Sequence, residues 1–272
     1  MSLGKDMIKE PRMWRLVLEP TPASLCAMAF SPYEHHAMIS EEIPFGPEMS
    51  PLKALQEAVY ANPLLLSDFS DVTVLVASRR FLVVPDTVDT PEKMSAVFAE
   101  AYAPANAPAE LIADTLPGMN VRIIMELPAD TLGFLRRTFN NPRIAHPLTP
   151  QALYFHSKYQ QRAPGKMLVN LRGDRCDIVV LGDGAPMLLN SYEIHHPMDA
   201  VYYVMAVRKE FDIPPSQEIL LAGDTASRGD VAPQLRRFVR YVMPAIFPSA
   251  MFRAGRASLR TPFEMVVSPL TL

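Results

Sequence analysis

One order of elements occurs twice in this chain, and it constrains the fold more than any single motif does. From residue 14, three strand-like runs follow closely: 14–18 (WRLVL), 24–30 (SLCAMAF) and 37–43 (AMISEEI). Proline-bearing turns separate them, Glu19-Pro20-Thr21-Pro22 and then Ser31-Pro32-Tyr33, and links that short favour antiparallel neighbours. After Pro51 the apolar period changes, with Leu52, Leu55, Ala58, Val59 and Leu66 spaced for one face of a helix. Residues 72–77 (VTVLVA) then form an unbroken apolar run that suits a strand buried on both faces.

The second half follows the same order. Residues 166–171 (KMLVNL), 176–181 (CDIVVL) and 187–194 (MLLNSYEI) read as three strands, with Gly182-Asp183-Gly184 as the turn between the last two. Residues 198–211 read as a helix with Val201, Val204, Met205 and Phe211 on its apolar side, and 218–222 (EILLA) as the fourth strand. Duplication is the simplest account of two such units. Even Cys26 and Cys176 fall early in the second strand of each.

Between the units the spacing predicts a helix over 90–102, a Pro/Ala-rich loop over 104–108 and a strand over 120–127. Two helices follow, around 129–139 and 149–161, the second opening on Thr149-Pro150 as a cap and a proline at the first helical position. The natural boundary lies near Ala163-Pro164-Gly165, dividing the chain into 1–163 and 164–272. Beyond residue 222, a helix around 231–242, a strand-like run 245–252 and a last edge strand over 264–267 complete the second unit.

Composition narrows the chemistry. The 272 residues hold 11 Gly and 27 Pro, about 4% and 10%, where typical usage is roughly 7% and 5%. A loop that wraps a phosphate needs backbone tolerant of positive φ and bare N–H groups, and proline offers neither. No GxxxxGK[ST] and no GxGxxG occurs. Two cysteines far apart suggest neither a disulfide framework nor a thiolate metal site, which points to a reducing, cytoplasmic setting. Residues 1–10 carry no apolar signal-peptide core, and the longest uncharged stretches, 20–33 and 144–157, are too short and proline-broken to span a bilayer. A net charge of −3 gives no global case for nucleic acid.

The three-strand meander, helix and further strand, present twice, resembles the core topology of the actin/hexokinase/Hsp70 superfamily. On whole-chain pattern from Arg12 onward, the sequence also resembles the bacterial domain-of-unknown-function family 3822. The fold expected is therefore α/β with mixed sheets: two ribonuclease-H-like halves around a cleft, as in actin-like ATPases. The resemblance implies ATP and Mg²⁺ in that cleft, phosphates held by the turn between the first two strands of each half, and a Gly-Gly pair at the adenosine.

At the matching positions this chain departs from that pattern. The first turn, Glu19-Pro20-Thr21-Pro22-Ala23-Ser24, has two prolines and no glycine. Glu19 could stand in for the metal-orienting acid, but a solvated acid at a strand end is the plainer reading. The second turn, Asn170-Leu171-Arg172-Gly173-Asp174-Arg175-Cys176-Asp177, keeps one glycine and two acids and places arginines where small residues are expected. Those arginines suit an anion, or simply a surface hairpin of mixed charge. The adenosine position reads Gly223-Asp224. Gly173, Asp174, Gly223 and Asp224 are thus the residues of a vestigial nucleotide cleft, with no catalytic residue and no metal ligand nominated.

Other constellations are weaker. His35-His36 and His195-His196 are adjacent, so in a strand each pair points to opposite faces; with His146 and His156 they read as surface or satisfied core residues. Cys26, in an apolar strand, reads as inert packing. From residue 229 onward Arg236, Arg237, Arg240, Arg253, Arg256 and Arg260 face only Asp230 and Glu264. Arg236, Arg237 and Arg240 would share a helical face, as a solvated surface or as an RNA or phosphoprotein contact.

The leading expectation is a cytoplasmic, catalytically degenerate actin-like protein that serves binding or assembly. It needs no cofactor, and it acts with an unidentified protein partner or a second copy of itself, not with a membrane or nucleic acid. The rival is an active Mg-ATP-dependent ATPase or phosphotransferase using Glu19, Asp174 and Asp224. A third reading is an RNA-associated accessory protein using the C-terminal arginines.

Overall fold

The first meander forms as its turns require. In the computed structural model, which describes residues 8–33, 38–159, 165–183, 185–248 and 260–272, β1 (Arg15–Pro20), β2 (Ser24–Phe30) and β3 (Met38–Pro44) pair antiparallel in sequence order. The chain then enters α1 (Pro51–Tyr60), where Ser50 caps the N-terminus by accepting from Lys53 N and Pro51 opens the first turn. Ala54, Leu55, Ala58 and Val59 form its buried stripe. β4 (Asp71–Leu75) returns parallel to β1.

The chain next leaves this sheet to build a three-stranded one. β5 (Phe81–Pro85), α2 (Pro91–Ala101), β6 (Ala109–Leu116) and β7 (Val121–Pro128) give the order β5-β7-β6. It comes back through α3 (Ala129–Thr138) and β8 (Arg143–Ala145), which completes a five-stranded sheet of order β3-β2-β1-β4-β8. α4 (Leu148–Tyr159) closes the first half.

The second half retraces this path without the insertion: β9 (Met167–Arg172), β10 (Arg175–Leu181), β11 (Pro186–Glu193), α5 (Pro197–Glu210), β12 (Ile219–Gly223), α6 (Thr225–Leu235), β13 (Val242–Pro244) and α7 (Phe263–Thr271). Its sheet has the equivalent order, β11-β10-β9-β12-β13, with β12 and β13 parallel to β9. α4 and α7 end the two halves and pack on each other, with the Tyr154 and Phe263 rings 5.9 Å apart. α7 also lies on the first sheet, where Met265 and Val266 meet Val17, Met28 and Leu75. A central core joins Leu148 and Phe155 of α4 to Met125 of the inserted sheet and to Leu168 and Leu220 of the second sheet.

Several sequence expectations change. Residues 264–267 are not an edge strand but the heart of α7, where Phe263 to Ser268 are all buried. A helix wedged between two halves is buried all round, so no exposed polar stripe marks its period. The helix expected over 231–242 starts earlier, because Asp224 caps Thr225–Leu235, and Val242–Pro244 is a strand. Arg236, Arg237 and Arg240 therefore follow α6 and share no helical face. Residues 245–248 are not strand, and 249–252 lie outside the described residues. So do His35, His36, Ala163, Pro164, Gly184, Arg253 and Arg256. β5 and β6 were not expected at all. Thr149 sits inside the first turn of α4 and donates its hydroxyl to Asp114 Oδ2 instead of capping the helix. Among the described residues no helix is long and apolar enough to cross a membrane, and no group of three or more His, Cys, Asp or Glu side chains could hold a metal ion.

Candidate functional site

The β9–β10 hairpin carries a polar stripe on one face. Arg172 is paired in register with Arg175 and Asn170 with Asp177, and cross-strand partners project to the same side. Their neighbours Val169, Leu171, Cys176 and Ile178 turn the other way into an apolar core with α5 and α6. The polar face meets the first half of the chain, and there it is buried.

Arg175 is the hub. Its Nη2 lies 3.2 Å from Glu19 Oε1 and 3.3 Å from Glu264 Oε1, and its Nε lies 3.0 Å from Asp177 Oδ1. Arg172 Nε stands 3.6 Å from Glu264 Oε1 and 3.9 Å from Glu19 Oε2, while its Nη2 donates to Cys26 Sγ at 2.9 Å. Asn170 Nδ2 donates to Glu264 Oε2 (2.8 Å), and Asp177 accepts from Gln151 Nε2 (2.7 Å) and Ser191 Oγ (2.6 Å). The cluster thus binds β1, β2, α4, the hairpin, β11 and α7 together.

Glu19, Glu264 and Asp177 are almost wholly buried, at 1%, 0% and 0% side-chain exposure. Burial first, and then the neighbouring Glu264, push the Glu19 carboxyl up to about 8. Burial also pushes the Cys26 thiol up to about 11, so it stays protonated and is no nucleophile. Glu19 is therefore not the solvated acid expected, nor are Arg172 and Arg175 a surface hairpin.

The first hairpin turn spends its donors on itself. Thr21 N donates to Ser24 O (2.8 Å), and Ala23 N and Ser24 N both donate to Thr21 Oγ1 (3.3 and 3.0 Å). Pro20 and Pro22 have no N–H to add. Beside the cluster, a cavity of about 590 Å³ opens between β2, β3 and the start of α7, its wall including Glu41, Glu42, Arg172 and Arg260.

Each of the four residues singled out at the turns has a local partner or constraint. Gly173 takes φ +58° at the hairpin tip, with open space around it. Asp174 pairs with Arg79 Nη2 at 2.8 Å, and the same guanidinium reaches Glu193 at 3.0 Å. Gly223, at φ +124°, lies against Leu171 on the adjacent parallel strand, where an added Cβ would come within 2.6 Å of the Leu171 carbonyl oxygen. Asp224 caps α6, accepting from Ser227 N (2.9 Å) and Ser227 Oγ (2.6 Å). Pairing of β9 with β12 brings the two pairs to the same end of neighbouring strands, the place where open α/β sheets form their crevices. Gln151 and Glu264 were missed as members of this cluster, while Asn170 and Asp177 lay in the turn as read but were given no role; both are visible as a polar alternation within an otherwise apolar hairpin.

Two of the described histidines are held by local contacts. His146 is buried, its Nδ1 accepting from Leu148 N (3.2 Å) and its Nε2 facing Ser78 O (3.3 Å); burial lowers it to about 4. His196 caps α5, accepting from Met198 N.

A family model described as "Protein of unknown function (DUF3822)" matches residues 10–242. The chain belongs to the DUF3822 family. The fold of this DUF3822 protein is that of the actin-like ATPases. It is similar to a Bacteroides thetaiotaomicron VPI-5482 protein with actin-like ATPase fold and unknown function, at TM-score 0.77 and 22% identity over 86% of this chain and 91% of that one. It is also similar to a chain of the PilM–PilN type IV pilus biogenesis complex, at TM-score 0.60 and 14% identity over 96% and 98% of the two chains. No curated protein matches in sequence.

Proposed function

We propose that this DUF3822 protein is a non-catalytic member of the actin-like fold, working in the cytoplasm by binding a protein partner or a second copy of itself rather than by turning over ATP. One observation carries the reading. At the two turns to which the superfamily resemblance assigns phosphates, Arg175 and Arg172 are already engaged by the buried side chains of Glu19, Asp177 and Glu264 of this chain. A triphosphate there would have to displace these buried acids from the guanidiniums, and removing one partner from a buried ion pair costs about 3–5 kcal/mol. The first turn has no backbone donor left to offset that cost. We accordingly read these residues as unfit for MgATP, and derive no hydrolytic step through it. A chain of similar fold is part of the PilM–PilN type IV pilus biogenesis complex, and we extend binding to another protein as a mode of action to this one.

Thermal unfolding of the purified chain with millimolar MgATP or MgADP tests the proposal, since a ligand at 100 times its Kd stabilises a native state by about 2.7 kcal/mol. No shift and no hydrolysis above background are expected. Magnesium-dependent hydrolysis that Asp174→Ala abolishes would overturn it.

A further inference from the structure

The segment after α6 presents an arrangement that a solvated surface does not require. Val239, Val242 and Ala245 are buried and anchor it to the second sheet. Between them the chain turns outward Arg237, Phe238, Arg240, Tyr241, Met243 and Ile246. Phe238, Met243 and Ile246 are 54%, 49% and 63% exposed, large apolar side chains gathered on one short stretch at the rim of the sheet.

The charge carried by this segment is of one sign. From residue 231 to residue 263 the sequence contains no Asp or Glu, and Glu264 beyond it is committed to the buried cluster. Among the described residues, Arg236, Arg237 and Arg240 have no carboxylate partner: Arg236 donates to Val242 O, Arg237 to Gln234 Oε1, and Arg240 lies over the Tyr241 ring at 5.1 Å. Exposed guanidiniums interleaved with aromatic and aliphatic side chains are what protein interfaces concentrate, and guanidinium forks match carboxylates.

We infer that residues 236–246 form a docking surface for an acidic segment of a partner protein, one whose Asp or Glu side chains meet Arg237 and Arg240 while its apolar side chains cover Phe238, Met243 and Ile246. This rests on the binding role proposed above and gives that role a surface. Strand addition is not the mode, because Pro244 lacks an N–H and Arg236 occupies the Val242 carbonyl at this edge. The apolar share of the patch, Met and Ile included, favours a protein over a nucleic acid, whose bases call for planar stacking partners.

The experiment selects binders to the full chain from a displayed library of random peptides about a dozen residues long. Enriched peptides should combine Asp or Glu with aromatic or aliphatic residues and bind more weakly as salt rises. The same synthetic peptides should bind about tenfold more weakly to Arg237→Glu/Arg240→Glu and to Phe238→Ser/Ile246→Ser, which alter exposed side chains only, and unchanged to Arg12→Glu on a remote surface. Arg236 is left intact because it braces β13. The inference is overturned if no peptide is enriched, if the enriched peptides lack acidic residues, if the two double variants bind them normally, or if single-stranded RNA or anionic phospholipid vesicles bind this surface in their place. Nucleotide binding, measured separately as above, decides the non-catalytic reading, so the two can fail apart.

Discussion

Arg175 places one guanidinium nitrogen 3.2 Å from Glu19 and 3.3 Å from Glu264, so a hairpin of the second half is tied at once to the first strand and the last helix. All three side chains are largely or wholly buried, at 15%, 1% and 0% exposure. Arg175→Met would leave those buried acids without their shared cation, and should destabilise the fold by about 3–5 kcal/mol in urea unfolding. Arg79→Met, whose partners Asp174 and Glu193 are nearly half exposed, should cost no more than about 1 kcal/mol. Comparable losses for the two would mean that the buried cluster does not hold the halves together.

The same cluster sets a pH dependence. Glu19, facing Glu264, Arg175 and Arg172, sits at about 8, against an ordinary 4.5, chiefly through burial. Between those values the folded state keeps a proton that the unfolded chain has released, so stability falls as pH rises through the window. Lower down, Asp114, pushed up to about 6 by burial, acts in the same direction, and His146, pushed down to about 4 by burial, opposes it. Above about pH 6.5 those two oppose each other and fade within about one further pH unit, leaving Glu19 dominant. Urea midpoints should therefore fall between pH 6.5 and 8, by at most about tenfold in the folding equilibrium per pH unit. Glu19→Gln should flatten that slope, and an unchanged slope in the variant would refute the assignment.

How much of this was legible in the sequence follows from where each signal resides. Residues 24–30 are a strand as read, because short proline turns and an apolar run are local facts. β5 and β6 were invisible because their partner β7 lies between them in space and not in sequence, and their alternation is broken by intermediate burial at Leu82, Val83, Leu111 and Ile112. α7 was read as strand because its Val266-Val267 pair has β propensity, while burial on every side left it no exposed polar face. The departures of the two turns from the superfamily pattern were visible at Pro20, Pro22, Arg172 and Arg175. That the arginines turn inward was not, since it depends on Glu264, which only the tertiary fold brings to them.

Gly223 offers a test of why the residue is glycine. Its φ of +124° and the Leu171 carbonyl 2.6 Å from a built Cβ make close approach of two strands the reason, not a ligand. Gly223→Ala should cost more than the roughly 1–3 kcal/mol of backbone strain alone, since the contact with backbone cannot be relieved by a rotamer. Gly173→Ala, at φ +58° in open space, should cost only about 1–2 kcal/mol. Chemical denaturation of both variants distinguishes them, and equal small losses would remove the strand-contact account.

Asp224 separates a helix cap from a nucleotide-facing acid. Its Oδ1 accepts from Ser227 N at 2.9 Å at the start of α6, so Asp224→Ala should lose about 0.5–2 kcal/mol of stability. Asp224→Ser keeps a capping oxygen and drops the charge, and should restore most of that loss. Urea unfolding of the two variants is the measurement. An acid whose purpose was to hold a metal or a nucleotide would behave the other way: the serine would fail as badly as the alanine in ligand binding, while neither substitution need change the stability of the free protein. Recovery with serine would therefore assign the residue to the helix, consistent with a cleft whose polar groups are committed to the chain itself.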